Sequence, residues 1–143
     1  MTEYYPLDII HGLLEAEPKI TSLLSTYQEF PAVVQDVAPE DIQMPYIVLR
    51  LESDPIEENK VLARALISID VYVNNSRQTC RQIAGEIKRL LNEKNYNTFS
   101  EDVEAGAIST FVKGRYEPIQ PDPTIKSHQT KVILRYTQDD LFE

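Results

Sequence analysis

Glycine and cysteine are scarce in this chain of 143 residues, and the two shortages exclude several kinds of site. The chain has 4 glycines and 1 cysteine. No glycine-rich phosphate-binding loop is present, and Cys80 alone forms no intramolecular disulfide. No two Cys or His residues lie at the spacing of a zinc site. We therefore expect no metal and no cofactor.

Positive charge and long apolar runs are also lacking. The chain carries 14 Lys and Arg against 23 Asp and Glu, a formal net charge of −9. Because an acidic surface repels phosphates, we expect no specific nucleic-acid binding. No apolar run approaches the roughly 20 residues that cross a membrane, and the start "MTEYYPLDII" lacks the basic residues of a signal peptide. We expect a protein made in the cytoplasm and without membrane contact.

Helical spacing marks the N-terminal part of the chain. The length and the 42% hydrophobic content suit a single domain over residues 1–143. Pro6 suits a helix start, and Pro18 interrupts the pattern. The apolar residues of the first helix fall on one face: Leu7, Ile10, Leu13 and Leu14. We predict one kinked amphipathic unit over residues 6–26.

Alternating apolar residues predict two strands joined as a hairpin. The first begins after Pro45, and the second, in "VLARALISIDVYV", places Ile67 and Ile69 on the buried face of a central strand. The acidic stretch between them lacks a tight turn, so we predict a protruding arm around residues 52–62. The candidate interaction residues of this arm are Asp54, Glu57 and Glu58.

The segment "NNSRQTCRQIAGEIKRLLNEKN" carries the strongest helix signal. Asn75 is placed to cap the helix, with Gln78 in the capping-box position. The predicted core face contains Cys80, Ile83, Ile87, Leu90 and Leu91. The opposite face is basic, and it is either a solvated surface or a contact surface for a partner. Its candidate interaction residues are Arg77, Arg81, Lys88 and Arg89.

Two closing strands, in "AISTFVKGRYEP" and "HQTKVILRYT", follow this helix and are joined by a proline-rich loop. The order of helix, strands, helix and strands predicts an α+β fold. In this fold the sheet is antiparallel or mixed, and the N-terminal helix and the long helix pack on one of its faces.

Asp122, Thr124 and His128 lie in or beside the proline-rich loop and have the polar groups of a catalytic site. Asp and Thr beside proline are turn formers, however, and His128 begins the predicted last strand without an orienting partner of known position. Neither histidine lies near Cys80 in sequence. We predict a structural role for the three loop residues and no catalytic site. The alternative is a small enzyme that uses Asp122 and His128 at a subunit boundary.

Five segments follow one another in a recognisable order: "LDIIHGLLEAEPKITSLL", "MPYIVL", "ISIDVYV", "RQTCRQIAGEIKRLL" and "DPTIKSHQTKVILRY". With this order the chain resembles the tail terminator proteins of long-tailed bacteriophages, also called tail completion or tail-to-head joining proteins. Such proteins commonly hold an Asp and a His before the final strand, which Asp122 and His128 match. The chain departs from the pattern in its long, proline-punctuated stretch 26–45 and in its acidic arm.

The resemblance implies a non-enzymatic ring, usually a homohexamer, that caps the tail tube, stops its polymerisation and joins the tail to the head. The implied partners are further copies of the chain, the tail tube protein and a head-completion or neck protein. The implied location is the tail–neck region of the virion, where DNA passes through the lumen. The alternatives are a head-completion or neck adaptor, a tail-tube subunit, and a monomeric regulatory domain whose arm folds back on its own sheet.

Overall fold

The fold is a seven-stranded mixed sheet with helices on one face. The computed structural model describes residues 6–52, 56–57, 62–91, 94–96, 107–116 and 124–137. The helices are α1 (Pro6–Glu15), α2 (Pro18–Thr21) and α3 (Arg77–Leu91). The strands are β1 (Thr26–Tyr27), β2 (Phe30–Pro31), β3 (Val33–Gln35), β4 (Tyr46–Leu51), β5 (Ile56–Glu57), β6 (Leu62–Asn74), β7 (Lys94–Tyr96), β8 (Ala107–Tyr116) and β9 (Ile125–Thr137).

The N-terminal unit is shorter than predicted. Pro18 begins a separate helix, α2, in which the Glu17 side chain accepts a hydrogen bond from the Lys19 amide at 3.2 Å. Helical structure ends at Thr21, and the predicted extension to residue 26 is wrong. The strands β1 and β2 instead form a hairpin whose two turn residues, Gln28 and Glu29, have φ values of 51° and 73°. A two-residue turn of this kind matches the twist of the flanking strands.

The sheet has the strand order β3-β4-β6-β9-β8-β7, and β5 pairs with β6 beside this path. The strands β3 and β4 are parallel, whereas the other pairs are antiparallel. The predicted hairpin of β4 with β6 is confirmed, with a register from Tyr46 opposite Tyr72 to Leu51 opposite Ile67. The α+β class and the mixed sheet are therefore as expected.

The core lies between the helices and one face of the sheet. Every second residue of β6 from Ala63 to Val73 is buried there, and Ile67 and Ile69 have no exposed surface. On α3, Ile83 and Ile87 are fully buried as predicted. Leu7, Ile10 and Leu14 of α1 complete the same cluster. Burial of so many aliphatic side chains supplies the main favourable free energy of folding.

The start of α3 differs from the sequence-based prediction by one residue. Ser76, not Asn75, caps the helix, because its hydroxyl oxygen accepts a hydrogen bond from the Thr79 amide at 3.1 Å. Asn75 adopts a left-handed conformation with φ 59°, and its amide donates to the Thr124 carbonyl at 2.6 Å. Asn tolerates this conformation better than most residues, so Asn75 turns the chain before the helix rather than capping it.

The last strand begins earlier than predicted. β6 continues to Asn74, whose partner is Ile125, so the pairing of β9 extends across the region assigned to the loop. His128 consequently lies inside β9, opposite Val71, and not at the start of the strand. The strand β7, which pairs with β8, was not predicted.

Candidate functional site and interaction surfaces

Of the three predicted loop residues, the structure describes Thr124 and His128. Asp122 lies outside the described residues. Thr124 is exposed and uses its carbonyl to accept from Asn75. His128 is half-buried on the helix-covered face, with its Nδ1 3.3 Å from the Thr130 hydroxyl, and burial lowers its pKa. The Thr124 carbonyl thus joins the start of the last strand to Asn75, whereas the His128 side chain contacts a residue of its own strand.

Cys80 is the candidate nucleophile with the clearest geometry, and its surroundings argue against reactivity. Its side chain is fully buried on the core face of α3. Burial raises the pKa of the thiol to about 11, so the group stays protonated at neutral pH. Since the thiolate is the reactive form, Cys80 acts here as a small apolar core residue.

Two further features are absent from the described ranges. Within them, no group of three or more His, Cys, Asp or Glu side chains is arranged to hold a metal ion. None of the helices in the same ranges is long and apolar enough to span a membrane.

The four predicted basic residues of the long helix, Arg77, Arg81, Lys88 and Arg89, are all exposed on α3. Arg89 donates from Nε to Glu86 Oε2 at 3.0 Å, and this hydrogen bond raises the pKa of its guanidinium. An exposed pair of this kind contributes little to stability. The helix therefore presents a cationic surface that the core does not use.

The predicted arm is described at only two positions. Asp54 and Glu58 lie outside the described residues, whereas Ile56 and Glu57 form β5. This strand pairs antiparallel with β6, with Glu57 opposite Ala63. At these positions the arm extends its own sheet.

The sheet face opposite the helices carries a polar network that the sequence-based site predictions missed. On this face, Ser68 has no exposed surface and Asp70 is only 4% exposed. Asp70 accepts hydrogen bonds from Arg50 and, at 3.0 Å, from the Ser68 hydroxyl. Such partners are what a buried carboxylate requires. The alternation of β6 already placed Ser68 and Asp70 opposite the core, but it gave no sign that they are buried.

Around this network the open face is basic with an apolar strip. Arg64 and Arg135 are exposed and lie directly opposite each other on β6 and β9. Lys131 Nζ lies 3.7 Å from Glu52 Oε1. Leu66 and Ile133, which also face each other, are half-buried between these cations. We call Arg50, Arg64, Leu66, Lys131, Ile133 and Arg135 the basic face.

A virion chain shares this fold. A chain of the solved structure titled "Virion of native gene transfer agent (GTA) particle" matches with a TM-score of 0.60 and 13% sequence identity, covering 90% of this chain and 90% of that chain. At this identity the likeness to the gene transfer agent chain shows the fold alone. No family model and no curated protein matches the sequence.

A second surface lies in the segment around β3, which is an edge strand of the sheet. Phe30 is 64% and Val37 78% exposed, as the large hydrophobic side chains most open to solvent in the described ranges. Exposed carboxylates, those of Glu29, Asp36 and Glu40, come from the same segment. We call these five residues the acidic edge. A groove of about 210 Å³, lined in part by Phe30, separates it from α1.

Proposed function

We propose that this chain is a structural protein of a phage-like virion and, within it, a tail terminator. The observation that carries the proposal is the fold shared with a chain of the gene transfer agent virion over 90% of both chains. The order of sequence segments that resembles tail terminators supports the finer assignment. In this role copies of the chain form a ring, with a hexamer as the expected state, that closes the end of the tail tube and joins the tail to the head.

The surfaces of the molecule suit such assembly. The described residues form three charged surfaces. Two are cationic, the basic face and the exposed side of α3, and one is anionic, the acidic edge. Contacts between different patches of identical subunits close into a ring when the rotation divides a full turn. The exposed Arg77, Arg81, Lys88 and Arg89 then serve as a docking surface for the tail tube protein or the head-completion protein. With −9 on each subunit, the lumen holds passing DNA weakly.

The arm around residues 52–62 is proposed as an intersubunit arm that contains Asp54, Glu57 and Glu58. Deleting residues 54–59 should leave a folded chain and weaken assembly, as measured by circular dichroism and light scattering on one sample. The deletion removes β5, which pairs with β6. Loss of the fold would show instead that the arm belongs to the sheet. Unchanged assembly would contradict the intersubunit role.

A monomeric regulatory domain is the second candidate, because β5 shows the arm pairing with its own sheet at residues 56–57. Light scattering separates the two functions directly. A single-subunit mass at every protein concentration, both alone and beside tail tubes, would favour the regulatory domain and remove the terminator proposal.

The terminator function is tested by adding the purified protein to polymerising tail tube subunits and imaging them by negative-stain microscopy. We expect single rings at tube ends and shorter tubes as the protein concentration rises. Continuous growth of tubes from the protein alone would identify a tube subunit. Rings that bind heads but never tube ends would identify a head-completion or neck adaptor. Bovine serum albumin at matched concentrations controls for non-specific inhibition.

A further inference from the structure

Charge is divided unevenly along the strand order of the sheet. The strands β8 and β9 together contain five Lys and Arg and no Asp or Glu. Residues 6–45, which include β3, contain seven Asp and Glu and one Lys. Because β4 and β6 lie between β3 and β9 in the sheet, the negative and positive segments occupy different parts of the molecule.

On the basic face, two like charges lie directly opposite each other on neighbouring strands. Arg64 is the partner of Arg135. Like charges directly opposite on neighbouring strands destabilise a sheet. Further negative charge close to Arg64 and Arg135 therefore offsets their mutual repulsion. The exposure of Arg64 and Arg135 leaves them within reach of an anionic partner.

The basic face and the acidic edge both combine apolar side chains with charged ones, and their charges are opposite in sign. On the basic face, Leu66 and Ile133 form an apolar strip beside cations. On the acidic edge, Phe30 and Val37 are exposed beside carboxylates. An apolar centre with a charged rim is the common anatomy of a protein–protein interface. Complementary signs favour correct encounter and reject like-charged surfaces.

We propose that the basic face binds the acidic edge of a second copy of this chain. Every copy brings an acidic edge of the required sign and with exposed apolar groups, whereas a nucleic acid offers the charge without the apolar contact. The net charge of −9 also disfavours the approach of a nucleic acid. The inference rests on the proposed ring, since it assigns that ring its subunit contact.

The proposed contact is head-to-tail, because the two surfaces belong to different parts of each copy. A contact of this kind continues from copy to copy until the last acidic edge meets the first basic face. It leaves the cationic surface of α3 for the tube or head protein. The helix-covered core takes no part in it.

Charge reversal on each surface tests the contact. The face variant carries Arg64→Glu and Arg135→Glu, and the edge variant carries Glu29→Lys and Glu40→Lys; Asp36 is retained because its φ of 68° suits Asp. Each variant alone should raise the protein concentration at half-dissociation at least ~10-fold, because like charges then meet across the contact. An equimolar mixture should recover association, since each variant retains one native surface and the two reversed surfaces attract each other.

The control is a matched double reversal on the long helix, Arg81→Glu with Lys88→Glu, which should leave self-association unchanged. Thermal melts identify any variant that does not fold, and Arg64→Gln with Arg135→Gln then replaces the face variant, with a smaller loss expected.

Wild-type-like association of both surface variants would overturn the contact and leave the ring intact. A monomeric wild type would overturn both. Double-stranded DNA binding that only the face variant loses, with its oligomer mass unchanged, would assign the basic face to nucleic acid and overturn the proposal.

Discussion

The two faces of β6 are built on one backbone and differ in nearly every other respect. Toward the helices the strand presents an aliphatic row that includes the fully buried Ile67 and Ile69. Toward the open side it presents the exposed Arg64 and the buried Ser68 and Asp70. The first face gains its stability from apolar burial, which needs no directed partner. The second buries polar groups, which requires hydrogen bonds from particular neighbours. One face therefore holds the fold together while the other is available for contacts.

The largest effect should come from Ile69→Ala on the helix-covered face. Loss of a fully buried aliphatic side chain that leaves a cavity should lower the free energy of unfolding by about 2–5 kcal/mol. Leu66→Ala is the matched control on the open face, where Leu66 is half-buried and about 1 kcal/mol is expected. Denaturant unfolding of both variants measures the difference. Equal losses would show that the two faces contribute alike.

A smaller effect is expected from Arg50→Met in the polar network of the open face. This change leaves the Asp70 carboxylate, 4% exposed, with the Ser68 hydroxyl as its remaining described donor. We expect a loss of roughly 1–3 kcal/mol, less than for a fully buried ion pair because the Arg50 side chain is 47% exposed.

The control for Arg50→Met is the double variant Arg50→Met, Asp70→Val. Because it removes both charges, it should recover most of the lost stability. A double-mutant cycle by chemical denaturation measures the coupling. Additive losses would contradict the role of the network in burying Asp70.

Ser76→Ala tests the attachment of α3 without changing either face of the sheet. Losing the hydrogen bond from the Thr79 amide to the Ser76 hydroxyl oxygen should cost about 1 kcal/mol. Asn75→Gly is the control, and it should change stability little because the φ of 59° suits glycine. Thermal unfolding ranks the two variants. A larger loss for Asn75→Gly would restore Asn75 as the residue that fixes the helix start.

The smallest effect concerns the pH dependence of His128. Burial lowers the pKa of His128 in the folded chain below its ordinary value of 6.5. The unfolded chain then binds the proton more readily, so this contribution to stability is present above that pH and is lost as the pH falls through it. His128→Gln should reduce the decline in stability between about pH 7 and pH 5. His11→Gln removes the other histidine as a control, and an unchanged pH profile for His128→Gln would contradict the role of burial.

Sequence patterns predicted the long elements of the fold for clear physical reasons. The alternation in β6 and the helical spacing of Ile83 and Ile87 both reflect burial of one face, and burial decides the fold at those positions. The short strands β5 and β7 have two and three residues, too few for an alternating pattern, and they depend on pairing with β6 and β8. The cap of α3 lies one residue later than predicted, because Asn75 adopts the left-handed conformation that turns the chain before the helix.

The candidate surfaces were harder to predict than the fold. The basic residues of α3 were found because they lie opposite a helical core face. Arg64 and Arg135 lie opposite each other because of the register between β6 and β9. The sequence of either strand alone does not determine that register. The exposure of Phe30 follows from an unpredicted hairpin between β1 and β2.

We propose that the basic face and the acidic edge join copies of this chain into a closed ring. Light scattering of the wild-type protein across a sodium chloride series tests it most directly, because salt screens exposed charges beyond a Debye length of about 8 Å at physiological ionic strength. We predict one discrete mass at low salt, an integer multiple of 16.4 kDa, that falls toward the single subunit as salt rises. A mass of one subunit at every salt concentration, or growth without limit, would contradict the claim.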